Sequence, residues 1–174
     1  MLQSNTTLKH ISLCKHQITD VGAQVLAERL LDNKSLTSLH LRANKIGSFG
    51  CEALAALLLK DSPIKELDLT SNHVKDEGAR ALKTVLESNQ TLEILCIGYN
   101  SIQDAGLKWL AQGLKDNTTI TKILFWGNTF GSSASPLFLN LYEERWKYYN
   151  VLVDIKPYSV DGIVHVALKC SSDT

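Results

Sequence analysis

LTSLHLRANKIGSFGCEALAALL, at residues 36–58, is the most regular copy of a pattern that returns every 28 residues. It comes back as IKELDLTSNHVKDEGARALKTVL at residues 64–86 and as LEILCIGYNSIQDAGLKWLAQGL at residues 92–114. Weaker copies begin at Leu8 and Ile120, so the pattern occurs about five times. Self-similarity at a fixed spacing of this length indicates a repeat protein, in which each copy folds as one unit.

Each copy contains two hydrophobic periods, one for a strand and one for a helix. In LTSLHL and IKELDL the apolar and polar residues alternate, which is the period-2 pattern of a short strand. Gly50, Leu54, Leu57 and Leu58 then follow the 3.6-residue period of a helix. Each unit is therefore predicted to be a strand, a turn and a helix. One such unit buries almost nothing alone, so the core forms only between stacked neighbours.

Asparagine and glycine occupy two further columns of the repeat. A buried side-chain amide just after the strand can satisfy backbone donors and acceptors of the turn that would otherwise be unpaired. Glycine at the start of the helix lets that helix approach its neighbour closely. The asparagine column holds Asn44, Asn72, Asn100 and Asn128, and the glycine column holds Gly22, Gly50, Gly78 and Gly106.

A second asparagine column precedes the strands. Its members begin N-x-[ST] triplets, which would be glycosylation acceptors in a secreted protein. Their 28-residue phasing instead predicts that they belong to the loop of the repeat. These residues are Asn5, Asn33, Asn89 and Asn117.

The quoted copies resemble the 28-residue repeats of the ribonuclease-inhibitor class of leucine-rich repeat proteins, over about residues 5–142. The resemblance implies an α/β fold: a right-handed horseshoe-shaped solenoid with a parallel sheet on the concave face and helices on the convex face. It also implies that binding takes place on the concave face. His16 in the asparagine column and Ala134 in the glycine column depart from the pattern. We expect the first and last units to be less regular for this reason.

The chain is predicted to divide into repeats at residues 1–142 and a cap at residues 143–174. Leu2 lies 28 residues before Leu30, so the repeats are expected to start at the end of a missing preceding unit and to expose an apolar edge. At the other end, residues 143–149 continue the fifth helix. Asp161 and Gly162 then stand between two apolar runs and predict a two-residue β-hairpin turn. We expect this hairpin to cover the last repeat.

Composition and charge exclude several classes of partner. Lysine plus arginine and aspartate plus glutamate each total 18, which predicts neither a nucleic acid nor a membrane as partner. The four cysteines form no C-x-x-C pair and the first residues lack a signal segment, which favours an intracellular protein with reduced thiols. Residues 156–168 resemble the end of an intracellular, partly nucleolar leucine-rich repeat protein. We therefore expect the cytoplasm, with the nucleus or nucleolus as an alternative.

The strand residues that point away from the core form the candidate binding surface. They are mostly polar in the first three units, and apolar or aromatic in the last two. Because a few aromatic and arginine side chains supply most of the energy of an interface, Arg42, Tyr99 and Trp126 are the candidate anchors. Trp126 has an alternative role, packing beneath the hairpin as part of the cap. The predicted partner-binding residues are Arg42, Glu66, Asp68, Tyr99, Lys122 and Trp126.

The sequence does not predict catalysis, a metal site or a cofactor. Glu66 and Asp68 lie two residues apart on a flat strand, where a solvated acidic patch is expected. His10 and His40 stand in adjacent strands without a third metal ligand. The cysteines lack a repeatedly placed general base, and there is no phosphate-binding glycine loop. We therefore predict a non-enzymatic protein.

The leading hypothesis is a module that binds a protein partner through its concave face, because stacked repeats form a long curved surface on which no catalytic residues converge. One alternative is a regulator or activator of a small GTPase or another NTPase, through a strand-end residue such as Arg42. Another is a structural segment of a larger intracellular assembly such as a ciliary axoneme. Self-association through the uncapped N-terminal edge is a further expectation.

Overall fold

The computed structural model describes residue 2 and residues 4–169. Five strand-turn-helix units follow one another, and their strands form one parallel sheet that a sixth strand extends. The first five strands are β1 (His10–Ser12), β2 (Ser38–His40), β3 (Glu66–Asp68), β4 (Ile94–Cys96) and β5 (Lys122–Leu124). The helices of the five units are α1 (Asp20–Leu30), α2 (Ser48–Leu58), α3 (Lys75–Ser88), α4 (Asp104–Leu114) and α5 (Ser135–Leu141).

Residues that are 28 apart in the sequence lie side by side in neighbouring strands. His10 pairs with Ser38, Ser38 with Glu66, Glu66 with Ile94, and Ile94 with Lys122. The middle residue of each strand from β2 to β5 is fully buried toward the helices. The repeat spacing in the sequence is therefore the register of the sheet, and the predicted solenoid of parallel strands and helices is confirmed.

The hydrophobic core lies between the sheet and the layer of helices. Leu54, Leu57 and Leu58 of α2 are buried there, as the helical period predicted. Full burial of one such side chain contributes about 1.5–3 kcal/mol to folding. The core continues from unit to unit without interruption, because each helix packs against the next one.

The asparagine after each strand joins its unit to the preceding one, as predicted. The side-chain oxygen of Asn44 accepts from the backbone N–H groups of His16 and Ile18, both at 3.0 Å. Its amide donates to the carbonyls of Leu13 at 2.9 Å and Leu41 at 2.7 Å. Equivalent bonds are made by Asn72, Asn100 and Asn128.

The second asparagine column is also structural. The amide of Asn33 donates to the carbonyl of Leu2 at 2.7 Å, while its oxygen accepts from the N–H of Leu36 at 2.8 Å. Asn89 and Asn117 make the same two kinds of bond. The loop interpretation of the N-x-[ST] triplets is therefore confirmed for these positions.

Aspartates at the start of some helices cap the next helix, a feature that the sequence analysis did not identify. Asp20, the first residue of α1, accepts from the N–H groups of Gly47 at 2.6 Å and Gly50 at 2.9 Å, at the start of α2. Asp104 accepts from Gly131 at 3.0 Å and Ala134 at 2.8 Å before α5. The first N–H groups of a helix lack partners within it, so each carboxylate satisfies donors of its neighbour.

The C-terminal segment extends both layers of the solenoid. Helix α5 continues through a π-helical turn (Tyr142–Trp146) into the short helix α6 (Lys147–Tyr149), as the sequence predicted apart from the π turn. The chain then returns to the sheet as strand β6 (Leu152–Val153), which pairs with β5. It leaves the sheet at Asp154 and forms the antiparallel hairpin of β7 (Ile155–Val160) and β8 (Ile163–Leu168). The predicted hairpin is confirmed, whereas the sixth strand was not predicted.

Asp154 explains why the segment divides between two sheets. In the earlier units the first backbone N–H after each strand donates to a carbonyl of the next strand, as Leu41 does to Asp68 at 2.8 Å. At the end of β5 the equivalent N–H, that of Phe125, donates to the side chain of Asp154 at 2.8 Å instead, and the N–H of Trp126 donates to the same carboxylate at 3.0 Å. The carboxylate satisfies the last edge, so the backbone is able to turn away into the hairpin.

Candidate functional site

The concave face is the side of the parallel sheet that points away from the helices. Glu66 on β3 and Lys122 on β5 lie in one row of this face, with Ile94 between them. Asp68 lies in the next row and pairs with Cys96. Arg42, Tyr99 and Trp126 follow their strands, at the ends from which the chain leaves the sheet. Three of the predicted partner-binding residues therefore lie in the strands of the sheet and three at the ends of strands, without converging on one point.

Tyr99 is the most exposed aromatic residue of this face, with 57% of its surface accessible. Its backbone N–H donates to the carbonyl of Trp126 at 2.9 Å, so the two residues lie on adjacent turns. The Tyr99 ring lies directly over Gly127, where an added Cβ would come within 2.3 Å of the ring. Glycine at position 127 therefore makes room for the tyrosine ring, which is held against the backbone beneath it.

The backbone at Tyr99 belongs to a turn that recurs in every unit. Tyr99 has a φ of 54°, in the left-handed region that non-glycine residues rarely occupy. The equivalent residues adopt the same region, with φ values from 56° to 85°, so this conformation is a property of the repeat and is not special to Tyr99. They are Lys15, Ala43, Ser71 and Gly127.

Trp126 contributes to both the concave face and the core. Its side chain is half-buried and packs against the hydrophobic core. Its backbone N–H is held by Asp154, and its carbonyl accepts from Tyr99. Trp146, Phe138 and Phe125 fill the space behind β5, and the rings of Phe125 and Trp146 are stacked with their centres 6.2 Å apart. Trp146 is thus the buried tryptophan of the cap.

The polar part of the concave face contains a cluster of Ser38, His40 and Glu66. Nε2 of His40 lies 3.0 Å from Oε1 of Glu66 and 3.1 Å from Oγ of Ser38. The Ser38 hydroxyl donates to Oε2 of Glu66 at 3.0 Å. A catalytic triad needs the nucleophile and the carboxylate on different ring nitrogens of the histidine. Here both meet Nε2, so the cluster does not have the geometry of a triad.

The sequence analysis missed this cluster, although its signal was present. Ser38 and Glu66 are 28 residues apart and therefore adjacent in the sheet, and His40 lies diagonally across from Glu66. Of the two histidines considered for a metal, His40 bonds to Glu66, while His10 pairs with Ser38 along the strand. Within residue 2 and residues 4–169, no three His, Cys, Asp or Glu residues are grouped to hold a metal ion.

The other charged side chains of the face differ in how far they are buried. The carboxylate of Asp68 is half-buried and accepts from the N–H of Thr70 at 2.8 Å. Lys122 is half-buried beside the aromatic part of the face, whereas Arg42 is exposed. The face therefore combines an acidic centre with flanking cations, and its charges of opposite sign are interspersed.

Cys96 lies on strand β4 and pairs with Asp68, but its side chain is largely covered. Only 7% of its surface is accessible, and burial, followed by the charge of Asp68, raises its thiol pKa to about 12. Burial is also the main cause that raises the pKa of the Cys51 thiol to about 12. Because the thiolate is the reactive form, neither side chain is suited to nucleophilic chemistry.

The N-terminal edge of the sheet presents apolar side chains. Leu8 is exposed and Leu13 and Ile18 are only half-buried, whereas their equivalents in the second unit, Leu36, Leu41 and Ile46, are buried. Leu13, Ile18 and the exposed Val25 line a shallow apolar groove together with Leu2 and Leu26.

No helix in the described part of the chain is both long and apolar enough to cross a membrane.

A region named Leiomodin-1 Actin-Binding Site 2 has a similar solved structure, with a TM-score of 0.64. It is 24% identical in sequence, over 82% of this chain and 86% of that chain, and at this identity the likeness shows the fold alone. No curated protein matches the sequence. The family model described as Leucine Rich repeat matches residues 4–27, 32–55, 60–83 and 88–111, which is more than half of the chain. The chain therefore belongs to the leucine-rich repeat family.

Proposed function

We propose that this chain is a non-enzymatic module that binds a protein partner on its concave face. The observation that carries the proposal is the exposed ring of Tyr99, which rests on Gly127 beside the half-buried Trp126. Leucine-rich repeats are typically interaction modules, and their stacked units provide an extended surface for this purpose. The Ser38, His40 and Glu66 cluster gives no support to a hydrolytic alternative, since both of its partners lie at one nitrogen of His40.

The geometry of Tyr99 favours an energetically important contact. A tyrosine side chain offers a large contact area and has few rotatable bonds, so ordering it in an interface costs little conformational entropy. The ring already has Gly127 beneath it, which restricts its movement before a partner arrives. Contacts of this kind, next to a second aromatic residue, are typical of the few positions that supply most of the binding energy.

The charged residues would then determine which partner is accepted. Glu66 and Asp68 favour a basic group opposite β3, while Lys122 and Arg42 favour acidic groups on either side of it. Charges at the rim of an interface mainly affect specificity and the association rate. We therefore infer that the partner carries both signs of charge around an apolar centre. We also propose that the two proteins meet inside the cell, in the cytoplasm or the nucleus.

The test is capture of a partner from cell lysate by the wild-type chain and by Tyr99→Ala. Alanine is expected to fold at this position, because Ala43 already occupies the equivalent left-handed turn with a φ of 56°. The matched control is Tyr148→Ala, which removes another exposed tyrosine, on α6 and outside the strands. A protein that binds wild type and Tyr148→Ala but not Tyr99→Ala supports the proposal. Equal capture by all three would place the interface elsewhere.

Trp126 needs a separate variant because it also packs against the core. Trp126→Thr copies Thr70, the residue at the same position of the third unit, and circular dichroism establishes whether it is folded. A folded variant with weaker capture identifies Trp126 as a second anchor. Purified actin is a defined protein to include in the same experiment, since the structural neighbour is named an actin-binding site.

A further inference from the structure

The C-terminal hairpin has a geometry that its sequence determines closely. Asp161 and Gly162 connect the strands with φ values of 50° and 77°, and two such residues form the tight turn that matches the twist of a hairpin. Pro157 pairs with Val166, and proline has no N–H to donate. Hydrogen-bonded and non-hydrogen-bonded residue pairs alternate along antiparallel strands. Val164, Val166 and Leu168 therefore belong to pairs that are not hydrogen-bonded to β7.

The outer edge of β8 consequently presents a row of outward-facing backbone groups. The N–H and C=O groups of Val164, Val166 and Leu168 point away from β7. The two-stranded sheet has no third strand within residue 2 and residues 4–169, and no other backbone bond reaches these three residues there. An edge of this kind is a template for pairing with another extended chain.

The two edges of the hairpin differ in their protection. On β7 the outward-facing position of Pro157 has no N–H, which interrupts that edge. Strand β8 has the sequence IVHVAL, without proline, lysine, arginine or an acidic residue. Proline and charged side chains are the usual means by which proteins prevent pairing at an edge strand. The edge of β8 lacks both, so it is the open one.

We propose that β8 binds β8 of a second copy of this chain in antiparallel orientation. Two outward-facing residues must oppose each other, so the pairing places Val166 opposite Val166 and Val164 opposite Leu168, with about six backbone hydrogen bonds. His165 then faces Ala167, and no like charges meet. A second copy therefore supplies hydrogen-bond partners for this edge without bringing charged side chains together. The two hairpins then form one four-stranded sheet.

The side chains on the outer face of the hairpin agree with a role in assembly. Tyr158, Val160 and Ile163 are exposed, with 63% of Ile163 accessible, while the opposite face of the hairpin packs on α5. In the paired arrangement the outer faces of the two copies form one surface, on which these apolar side chains lie among Lys156 and His165. An isolated pair of strands is marginally stable, and two added strands make the sheet more stable.

Analytical ultracentrifugation of the full chain over a concentration series tests the proposal with two matched variants. Val164→Pro removes an outward N–H of β8, and Ser159→Pro makes the same change at its partner position on β7. We expect the wild type and Ser159→Pro to shift from 19.3 kDa toward about twice that mass, and Val164→Pro to stay at the lower mass. A wild type that stays monomeric, or a dimer that Val164→Pro retains, would overturn the proposal.

Hydrogen exchange of the wild type makes the result independent of how the variants fold. Protection of the Val164, Val166 and Leu168 amides is expected to rise with concentration, while that of the Ser159 amide stays constant. Val25→Glu serves as a second control, because it places a charge in the apolar groove at the N-terminal edge. Loss of the dimer in Val25→Glu but not in Val164→Pro would place the contact at that edge and refute pairing through β8.

Discussion

Arg145 makes, one unit later, the bond that Asn117 makes in the repeat. The amide of Asn117 donates to the carbonyl of Leu86 at 2.8 Å, and the guanidinium of Arg145 donates to the carbonyl of Leu114 at 3.4 Å, each across 31 residues. Arg145 also donates to the carbonyls of Lys115 and, at 2.6 Å, Asn117. One long side chain thus bonds to carbonyls at the end of α4, at the position where the asparagine column stops.

Arg145→Ala is expected to lower the free energy of unfolding by about 1.5–3 kcal/mol, the usual size for hydrogen bonds that involve a charged group. The loss arises because these carbonyls lose a charged donor, although the Leu114 carbonyl keeps the bond from the N–H of Asn117 at 3.2 Å. Urea unfolding followed by circular dichroism measures the change. Lys147→Ala, an exposed residue two positions further on, is the control and should stay within about 0.5 kcal/mol. Equal losses in the two variants would argue against the capping role.

Asn100→Ala is expected to be among the most destabilising substitutions of the repeats. Asn100 is fully buried and its amide donates to the carbonyls of Leu69 and Ile97, at 2.9 and 3.0 Å, while its oxygen accepts from Val74. Each buried group left without a partner costs about 1–3 kcal/mol, so a total of about 3 kcal/mol or more is expected from thermal or urea unfolding. His16→Ala, at the exposed equivalent position, provides the comparison. A similar loss for both would contradict this account.

The acid sensitivity of the fold is expected to depend on Asp104. Burial would raise its pKa, but the N–H groups of Ala134, Ser133 and Gly131 donate to the carboxylate and hold the pKa below its ordinary value. A carboxyl with a lowered pKa in the folded state stabilises the protein above its unfolded pKa of about 3.9. That contribution disappears as the pH falls through the folded pKa. The free energy of unfolding should therefore decrease below about pH 4.

Asp104→Asn isolates this effect, because the amide oxygen can still accept hydrogen bonds but does not titrate. Urea unfolding at a series of pH values should show a weaker acid dependence in this variant than in wild type. Asp116→Asn changes an exposed carboxylate in the loop after α4 and serves as the control. Parallel pH curves for wild type and Asp104→Asn would show that the cap does not determine the acid response.

Alkylation should distinguish the buried thiols of Cys51 and Cys96 from the more accessible thiol of Cys14. Burial raises the pKa of both Cys51 and Cys96 to about 12, so at pH 8 about one molecule in 10,000 carries either thiolate. Cys14 is half-exposed on the first unit. With iodoacetamide and peptide mass spectrometry, we expect Cys14 to be modified in the folded chain, and Cys51 and Cys96 only after denaturation. Rapid modification of native Cys96 would show that the concave face is more open than described.

Part of the site was predictable because residues 28 apart in the sequence pair with each other in neighbouring strands. Glu66, Asp68 and Lys122 were assigned to neighbouring strands from spacing, and the strand register agrees. Arg42, Tyr99 and Trp126 follow their strands, and the binding role of all six residues stays a prediction. The adjacency of Ser38 and Glu66 was available from the same spacing. The burial of Cys96 was not, since the alternation of a strand indicates which way a side chain points but not what covers it.

The sequence by itself determined the solenoid: its period aligned the strands, assigned the core leucines and gave the asparagines their bonding role. Only the tertiary structure decided how the array ends. Asp154 replaces the carbonyls of a following strand, Arg145 replaces an asparagine, and β6 joins the sheet. The physical reason is that each repeat makes the same contacts with its neighbour, so the pattern of one unit predicts the structure of the next. A terminal cap occurs once, and its contacts depend on where the last unit leaves unpaired groups in space.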